Sequence, residues 1–298
     1  MMNARGPSLP PWLRALHFVD RQVTRAYRIH EVVRDELLLA FTTSSHRSRL
    51  TMLAYGAAPA VYGPGGRHFD PGLFDWEESA LGFMKVGKES RVLVGGIGGG
   101  RELPALAQRA GVVVAFEPSG ALLELARRVA EPFENVSLYQ GTYEDFVTAV
   151  RERRGPLAAL CGPYDAIILG RGSFAHVTDE SEHRAVLGAL RSSSPRAPIL
   201  VSFAVRPASR YERSLSTRAR RELRGVLTRL GGRNVGPGLR YEVRRGFIYD
   251  FSEEEMRALA DGAGYRVHEF GFSPYALRGG GRPPAHALLV PKAAEPFG

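Results

Sequence analysis

The stretch Val92-Leu93-Val94-Gly95-Gly96-Ile97-Gly98-Gly99-Gly100-Arg101-Glu102 decides the fold. It starts as an apolar, β-branched run, turns through glycines and continues in a helical pattern. Glycines let the backbone approach a ligand closely, and the first amide groups of the following helix attract a carboxylate or a phosphate. The stretch therefore predicts a strand, a ligand-binding turn and a helix.

The strand-and-helix pattern repeats after this stretch. Apolar runs occur at 91–94, 112–116, 136–139, 164–169 and 198–203, and helical patterns between them at 102–110, 121–130, 143–153 and 181–191. A further helix starts at Ser252 and precedes two more runs, 265–272 and 285–290. Continuous apolar strands that alternate with helices predict a doubly wound α/β sheet, in which ligands bind at the carboxyl ends of the strands.

The residues before the first strand have a different character. Residues 12 to 50 carry apolar side chains at helical spacing, and a loop rich in glycine, proline and aromatics covers 55–66. Another helix starts at Asp75. The aromatics Tyr55, Tyr62 and Trp76 are candidates for a lid, and packing is an equal alternative.

Composition limits the class of protein. Cys161 is the only cysteine among 298 residues, which excludes an intrachain disulfide and a cysteine-based zinc cluster. No apolar run is long enough to span a bilayer, and the first twenty residues lack the apolar core of a secretory signal. We expect a cytoplasmic protein without a membrane partner.

The positive charge is local. The formal net charge is +9, and twelve arginines against three glutamates between Arg206 and Arg245 account for that excess. The position of this segment after the fifth strand predicts a mostly helical cap over a ligand pocket, selecting an anionic small molecule. An apolar stripe could dock the cap, formed by Leu215, Leu223, Val226, Leu227 and Leu230.

Glu117 indicates which kind of ligand the glycine turn binds. It ends the second apolar run, where a carboxylate can accept hydrogen bonds from both ribose hydroxyls of a nucleoside. A dinucleotide fingerprint would need a glycine at 101 or 103, but Arg101 and Leu103 stand there. The spacing therefore argues against a dinucleotide-dependent enzyme.

The region 91–130, with Gly96-x-Gly98-x-Gly100 and Glu117 seventeen residues beyond Gly100, resembles the first two motifs of the class I S-adenosylmethionine (SAM)-dependent methyltransferases. The later segments 141–146, 164–170, 251–255 and 263–265 are similar to further motifs of that family, so that the resemblance covers about residues 75 to 290. It implies a Rossmann-like, seven-stranded sheet with its last strand antiparallel, and SAM as cofactor.

The resemblance implies a set of cofactor contacts, namely Gly96, Gly98, Gly100, Glu117, Pro118, Thr142, Tyr143, Gly170 and Arg171. Two positions depart from the family pattern. Val94-Gly95 replaces the acid that commonly precedes the glycines, and Thr142 replaces the acid that commonly faces the adenine amino group. The resemblance therefore implies neither an acidic contact to the methionine amino group at 94–95 nor an acidic contact to adenine at Thr142.

Methyl transfer from a sulfonium is an in-line displacement that needs no metal, and much of its catalysis can come from alignment. His176 follows the fourth strand and is the candidate general base, while capping of a neighbouring helix is its alternative role. Tyr62, Phe174 and Tyr249 are candidates for contacts to the methyl acceptor.

These expectations divide the chain into a helical N-terminal extension and lid (1–88), a SAM-binding core (89–205), an arginine-rich cap inserted after strand 5 (206–248) and a C-terminal part that completes the sheet (249–298). We expect methylation of a small-molecule acceptor on oxygen or nitrogen, such as a secondary metabolite or a carboxylate. An RNA or other nucleic-acid methyltransferase and a non-catalytic binding module remain alternatives. The sequence does not indicate an oligomeric state.

Overall fold

The strands of the sheet follow the apolar runs of the sequence. A computed structural model describes residues 10–69, 71–206, 215–233, 235–272 and 284–292. Its strands are β1 (Arg91–Gly95), β2 (Val112–Glu117), β3 (Val136–Gln140), β4 (Ala166–Leu169), β5 (Ile199–Ala204), β6 (Leu239–Glu242), β7 (Gly246–Tyr249), β8 (Tyr265–Phe272) and β9 (Pro284–Pro291). Its α-helices are α1 (Pro11–Phe41), α2 (Ser44–Gly56), α3 (Asp75–Phe83), α4 (Leu103–Arg109), α5 (Gly120–Ala130), α6 (Tyr143–Glu152), α7 (Glu180–Ser193), α8 (Leu215–Arg229) and α9 (Glu253–Gly262).

Seven of these strands form one sheet in the order β3-β2-β1-β4-β5-β9-β8. β1 to β5 pair in parallel, and β9 is antiparallel to both β5 and β8. The central strand β1 is apolar after Arg91, and the side chains of Val92, Leu93 and Val94 are fully buried, as both faces of the sheet are covered. The predicted doubly wound, seven-stranded sheet with its last strand antiparallel is confirmed.

Side-chain caps set the starts of several helices. Ser119 accepts a hydrogen bond from the backbone amide of Leu122 at the start of α5, and Ser252 accepts one from Glu255 at the start of α9. Thr43 caps α2 in the same way. The sequence Thr42-Thr43 therefore interrupts the helical region predicted for residues 12 to 50, and two helices form instead of one.

The chain divides into two compact units. The larger comprises Thr42–Ala208 and Gly236–Gly298 and contains the seven-stranded sheet. The smaller comprises Met1–Phe41 and Ser209–Val235, and its described elements are α1 and α8. The predicted extension 1–88 and the predicted cap 206–248 are thus each shared between the units, and the proposed role of a cap stays a prediction.

Ion pairs join the two helices of the smaller unit. Glu36 on α1 is buried, and its carboxylate accepts hydrogen bonds from Arg224 at 2.8 Å and from Arg220 at 3.5 Å. Arg220 also contacts Asp35 at 3.4 Å. Two arginines of the basic segment therefore neutralise buried acids within their own unit.

Two details of the basic segment differ from the sequence-based expectation. The predicted helical structure does not extend over the whole segment, because residues 239–249 form the antiparallel hairpin β6–β7. The apolar stripe on α8 is also incomplete, since Leu227 is buried while Val226 and Leu230 are exposed. The side chain of Leu215 and residues 273–283, between the last two predicted strands, lie outside the described residues. Among the residues that are described, no helix is both long and apolar enough to span a membrane.

Candidate functional site

A cavity of about 930 Å³ lies where the parallel strands end. Its wall includes residues from the turns that follow β1, β2, β3 and β4, together with the last residues of β5. The whole wall belongs to the larger unit. This volume is at the upper end of the range of small-molecule sites, so that the cavity has room for more than one ligand.

The glycine loop after β1 forms one part of the wall. Gly96, Gly98 and Gly100 all have a positive φ, a conformation that side chains disfavour. A Cβ atom at Gly96 would lie 2.3 Å from the Cβ of Ser173, whereas a Cβ at Gly98 would meet no atom within 4 Å. Gly98 therefore presents bare backbone to the cavity. Gly100 packs against Ala126 on α5 and does not line the cavity.

Glu117 lies beside this loop at the end of β2. Its side chain accepts hydrogen bonds from the backbone amides of Gly98 at 2.9 Å and Ser119 at 3.0 Å. Burial raises the pKa of Glu117 to about 7, and the two amide donors oppose that rise. An ionised carboxylate offers about four acceptor positions, so that two amides leave capacity for two ligand hydroxyls. Pro118 lines the cavity next to it.

Thr142 and Tyr143 also line the cavity, but their polar atoms bond within the protein. Thr142 caps α6 through Asp145, whose backbone amide donates to the Thr142 hydroxyl. The Tyr143 hydroxyl donates to the carbonyl of Gly95 at 3.1 Å and lies 2.6 Å from the Ser173 hydroxyl, and burial raises the pKa of Tyr143. Thr142 thus offers a helix cap where the family pattern has an acid.

Gly170 and Arg171 follow β4. The Gly170 amide donates to the Gly95 carbonyl, and a Cβ at Gly170 would lie 2.4 Å from the Gly96 carbonyl oxygen. Gly170 therefore allows two backbone segments to approach each other and does not itself line the cavity. Arg171 does line it, with its guanidinium 4.9 Å from the ring centre of Phe74.

His176 lines the cavity with both ring nitrogens engaged. Its Nδ1 lies 2.8 Å from the carbonyl oxygen of Phe247, so that Nδ1 carries the hydrogen and Nε2 accepts the hydroxyl of Tyr55 at 2.8 Å. Burial, and next the charge of Arg245, lower the pKa of His176 to about 4. In this geometry neither ring nitrogen is free for an acceptor, which favours the alternative, structural role, and the base role of His176 stays a prediction.

The predicted acceptor contacts separate into two groups. Tyr62 lines the cavity, with its ring 4.9 Å from that of Tyr55. Phe174 and Tyr249 do not, because they pack into a buried aromatic cluster around Phe251. Their large apolar rings are satisfied by the core, and this placement does not support a contact to the acceptor. Trp76, the third lid candidate, stacks on His286 outside the cavity wall.

The hairpin β6–β7 brings two cations that the sequence reasoning did not single out as site residues. Arg240 and Arg245 line the cavity, and both contact Glu242. Gly246 makes this arrangement possible, because its φ is +73° and a Cβ there would lie 2.4 Å from Oγ1 of Thr51 on α2. Gly246, which directly precedes the apolar run 247–249, was a turn signal in the sequence.

Of the comparisons with known proteins, the one with solved structures agrees with this architecture. No profile of a known protein family matches the sequence, and no curated protein matches it either. Among solved structures, a SAM-dependent methyltransferase from Methanosarcina mazei matches with a TM-score of 0.54 and 12% identity, covering 75% of this chain and 100% of that one. The chain has the fold of the SAM-dependent methyltransferases.

Two further structures support the same fold. The magnesium protoporphyrin IX methyltransferase from Synechocystis, with bound S-adenosylhomocysteine (SAH), matches with a TM-score of 0.51 and 15% identity over 83% of this chain and 100% of that one. A SAM-dependent methyltransferase from Leishmania major matches with a TM-score of 0.52 and 12% identity over 83% of this chain and 82% of that one. The fold implied by the glycine loop and its partner motifs is thereby confirmed.

Proposed function

We propose that the protein is a SAM-dependent methyltransferase that acts on a small molecule. The observation that carries this proposal is one cavity that combines the open Gly98 backbone and the buried Glu117 carboxylate with the aromatic and guanidinium groups of Tyr55, Tyr62 and Arg245. The first set suits a nucleoside, and the second suits a separate organic acceptor. The structural neighbours are methyltransferases by name, which agrees with this assignment.

The residues present fit the nucleoside part of SAM. Glu117 would accept hydrogen bonds from the two ribose hydroxyls, because its own amide donors leave two acceptor positions. Gly98 would let the ligand pass close to the backbone, since no side chain occupies that space. Of the predicted cofactor contacts, Gly96, Gly98, Glu117, Pro118, Thr142, Tyr143 and Arg171 line the cavity.

When bound, SAM supplies a methyl group on a positively charged sulfur. The protein then has to align the acceptor with that methyl group and exclude water. Tyr55 is suited to alignment, because its hydroxyl is fixed by donation to His176, whose tautomer is fixed in turn by the Phe247 carbonyl. His176 thus acts as a positioning residue for Tyr55.

The proposal is tested first by binding and then by turnover. Mass spectrometry of the purified protein should detect bound SAM or SAH, and calorimetry should show one site for each. The protein with SAM should then release SAH when a low-molecular-weight metabolite extract is added. Binding of neither cofactor would reject the proposal, and binding without any SAH release would favour the non-catalytic alternative.

A nucleic-acid acceptor is the alternative that the positive charge of the basic segment suggests. The structure gives several of its arginines acidic partners, such as Arg206 with Glu255 and Arg218 with Glu222. Titration of labelled RNA and DNA at two salt concentrations separates the two functions. Tight binding that falls by orders of magnitude with salt would favour a nucleic-acid methyltransferase, because phosphate contacts release counterions.

A further inference from the structure

Arg245 sets the electrostatics around Tyr55 and His176. Its guanidinium is partly exposed, lines the cavity and lies 3.7 Å from Glu242. Its positive charge opposes the burial-driven rise in the pKa of Tyr55 and adds to the lowering of the pKa of His176 and of Arg240. A positive charge that disfavours other cations at its side stabilises an anion there.

Arg240 and Arg245 differ in how many hydrogen-bond donors they leave for a ligand. Arg240 is largely buried, and it donates to Asp250 at 2.8 Å and also pairs with Glu242. Arg245 shares Glu242 at a longer distance and is more exposed than Arg240. A guanidinium carries five N–H donors in a planar fork, and that fork matches the two oxygens of a carboxylate. Arg245 is therefore the better placed of the two to bind a ligand anion.

Aromatic rings stand next to this charge. The ring of Tyr62 contacts those of Tyr55 and His68, with centre-to-centre distances of 4.9 Å and 5.6 Å. All three residues line the cavity, and Phe69 adds another apolar surface. Flat rings favour a flat, apolar ligand body through stacked or edge contacts. The wall thus combines a surface for a planar ring with a donor for an anion.

The partners of His176 and Glu242 agree with an acceptor that is already ionised. Nε2 of His176 is occupied by Tyr55, and Glu242 is held by two arginines. Methylation of an alcohol or a protonated amine releases a proton that a base has to take, whereas a carboxylate has no proton to lose at neutral pH.

We propose that the acceptor is a planar aromatic carboxylate, held by Arg245 and methylated on oxygen. This inference rests on the proposed methyltransferase function. One carboxylate oxygen forms the new bond to the methyl carbon, the carbon–sulfur bond breaks, and its electron pair stays on the sulfur. The negative charge of the acid and the positive charge of the sulfonium cancel, so that the products are a neutral methyl ester and a neutral thioether.

The test uses the full chain saturated with SAH, and the probes are benzoate, salicylate and 2-naphthoate, each paired with its neutral amide. By calorimetry, we expect at least one acid to bind about tenfold or more tightly than its amide, because the amide lacks the charge-assisted pair. With SAM in place of SAH, that acid should yield a methyl ester that mild alkali cleaves. Equal binding of acid and amide, or binding of no probe, would overturn the carboxylate assignment.

Two variants locate the anion. Arg245→Gln should remove the preference for acid over amide, while Arg151→Gln, which changes another cavity-lining arginine on α6, should keep it. A preference that survives in Arg245→Gln, or that is lost in Arg151→Gln, would overturn the assignment to Arg245. If Arg245→Gln does not fold, the comparison of acid and amide on the unmodified protein still decides the acceptor class. Failure of the unmodified protein to bind SAH would instead reject the proposed function.

Discussion

The cavity wall contains two clusters that differ in how much hydrogen-bonding capacity they leave for a ligand. The glycine-loop cluster consists of Gly96, Gly98 and Glu117, and the hairpin cluster consists of Tyr55, His176 and Arg245. Glu117 accepts two amides and retains acceptor positions, whereas both nitrogens of His176 are used by the protein. In the first cluster the buried titratable group has acceptor positions left for a ligand, and in the second it holds another side chain in place.

Burial acts on both titratable groups in the same sense, toward the neutral form. It raises the pKa of Glu117 to about 7 and lowers that of His176 to about 4. The first value lies in the physiological range and the second does not. The comparison teaches that a buried histidine at a strand end is not by itself a base, because its hydrogen-bond partners decide whether it can accept a proton from a ligand.

The largest expected effect concerns the bare backbone of the glycine-loop cluster. Gly98→Val should weaken SAH binding by about 100-fold or more, because a branched side chain would occupy the space that the ligand needs. Calorimetry measures the loss. The matched control is Gly155→Val, since Gly155 also has a positive φ and open space but does not line the cavity. Equal losses of binding in both variants would mean that backbone strain, not blocked space, causes the effect.

Gly246 tests the hairpin cluster separately. Gly246→Ala places a Cβ 2.4 Å from Oγ1 of Thr51 at a positive φ, and it should lower the free energy of unfolding by about 1–3 kcal/mol. We expect acceptor turnover to fall about tenfold or more while SAH affinity changes by less than about threefold, because the glycine loop is untouched. Denaturant unfolding, turnover and calorimetry give the three values. Parallel loss of SAH binding would contradict the independence of the two clusters.

The titration of Glu117 predicts a pH dependence of cofactor binding. A raised carboxyl pKa means that the free protein is protonated at Glu117 below about pH 7, and ribose hydroxyls bind the ionised form better. SAH affinity should therefore fall about tenfold between pH 8 and pH 6. Protonated Glu117 also stabilises the ligand-free protein. This contribution is fully present below the pKa of Glu117 in the unfolded chain, about 4.5, and is lost as pH rises through about 7. Thermal shifts by SAH should accordingly grow with pH, and a shift that is constant with pH would exclude this role of Glu117.

The smallest effect is expected for His176. His176→Ala should lower turnover by less than about tenfold, because it loosens Tyr55 without removing a base. At saturating SAM, the turnover of the unmodified protein should show no His176 titration between pH 5 and 8, since the pKa of about 4 keeps the ring neutral there. A loss of about 100-fold together with a pKa near 6.5 in the rate profile would restore the base role.

Most of the fold could be predicted because its signals are local. The continuous apolar runs gave strand positions within about two residues, for example 112–116 against Val112–Glu117. The break between α1 and α2 was missed although Thr43 is a typical N-cap residue. The hairpin was missed because Arg240, Arg244 and Arg245 interrupt its apolar residues, and the whole basic segment was interpreted as mostly helical.

The candidate site divides in the same way. Gly98 follows β1, and Glu117 ends the neighbouring strand β2. Their contact could therefore be predicted from the order of strands and turns in the sequence. Tyr55 and His176 are 121 positions apart, and their contact depends on the docking of α2 against β7. Phe174 was expected at the acceptor because it follows β4, but sequence position does not show which way a ring points. Burial in the aromatic cluster decided its place.

The central claim is that Glu117 and the glycine loop bind the nucleoside of SAM, and a calorimetric titration of SAH into the unmodified protein and Glu117→Ala tests it most directly. We predict a single SAH site whose affinity drops by about 1.5–3 kcal/mol, roughly 10- to 150-fold, when the carboxylate is removed. Circular dichroism at the titration temperature should show both proteins folded. SAH binding of equal strength in the two proteins would contradict the claim.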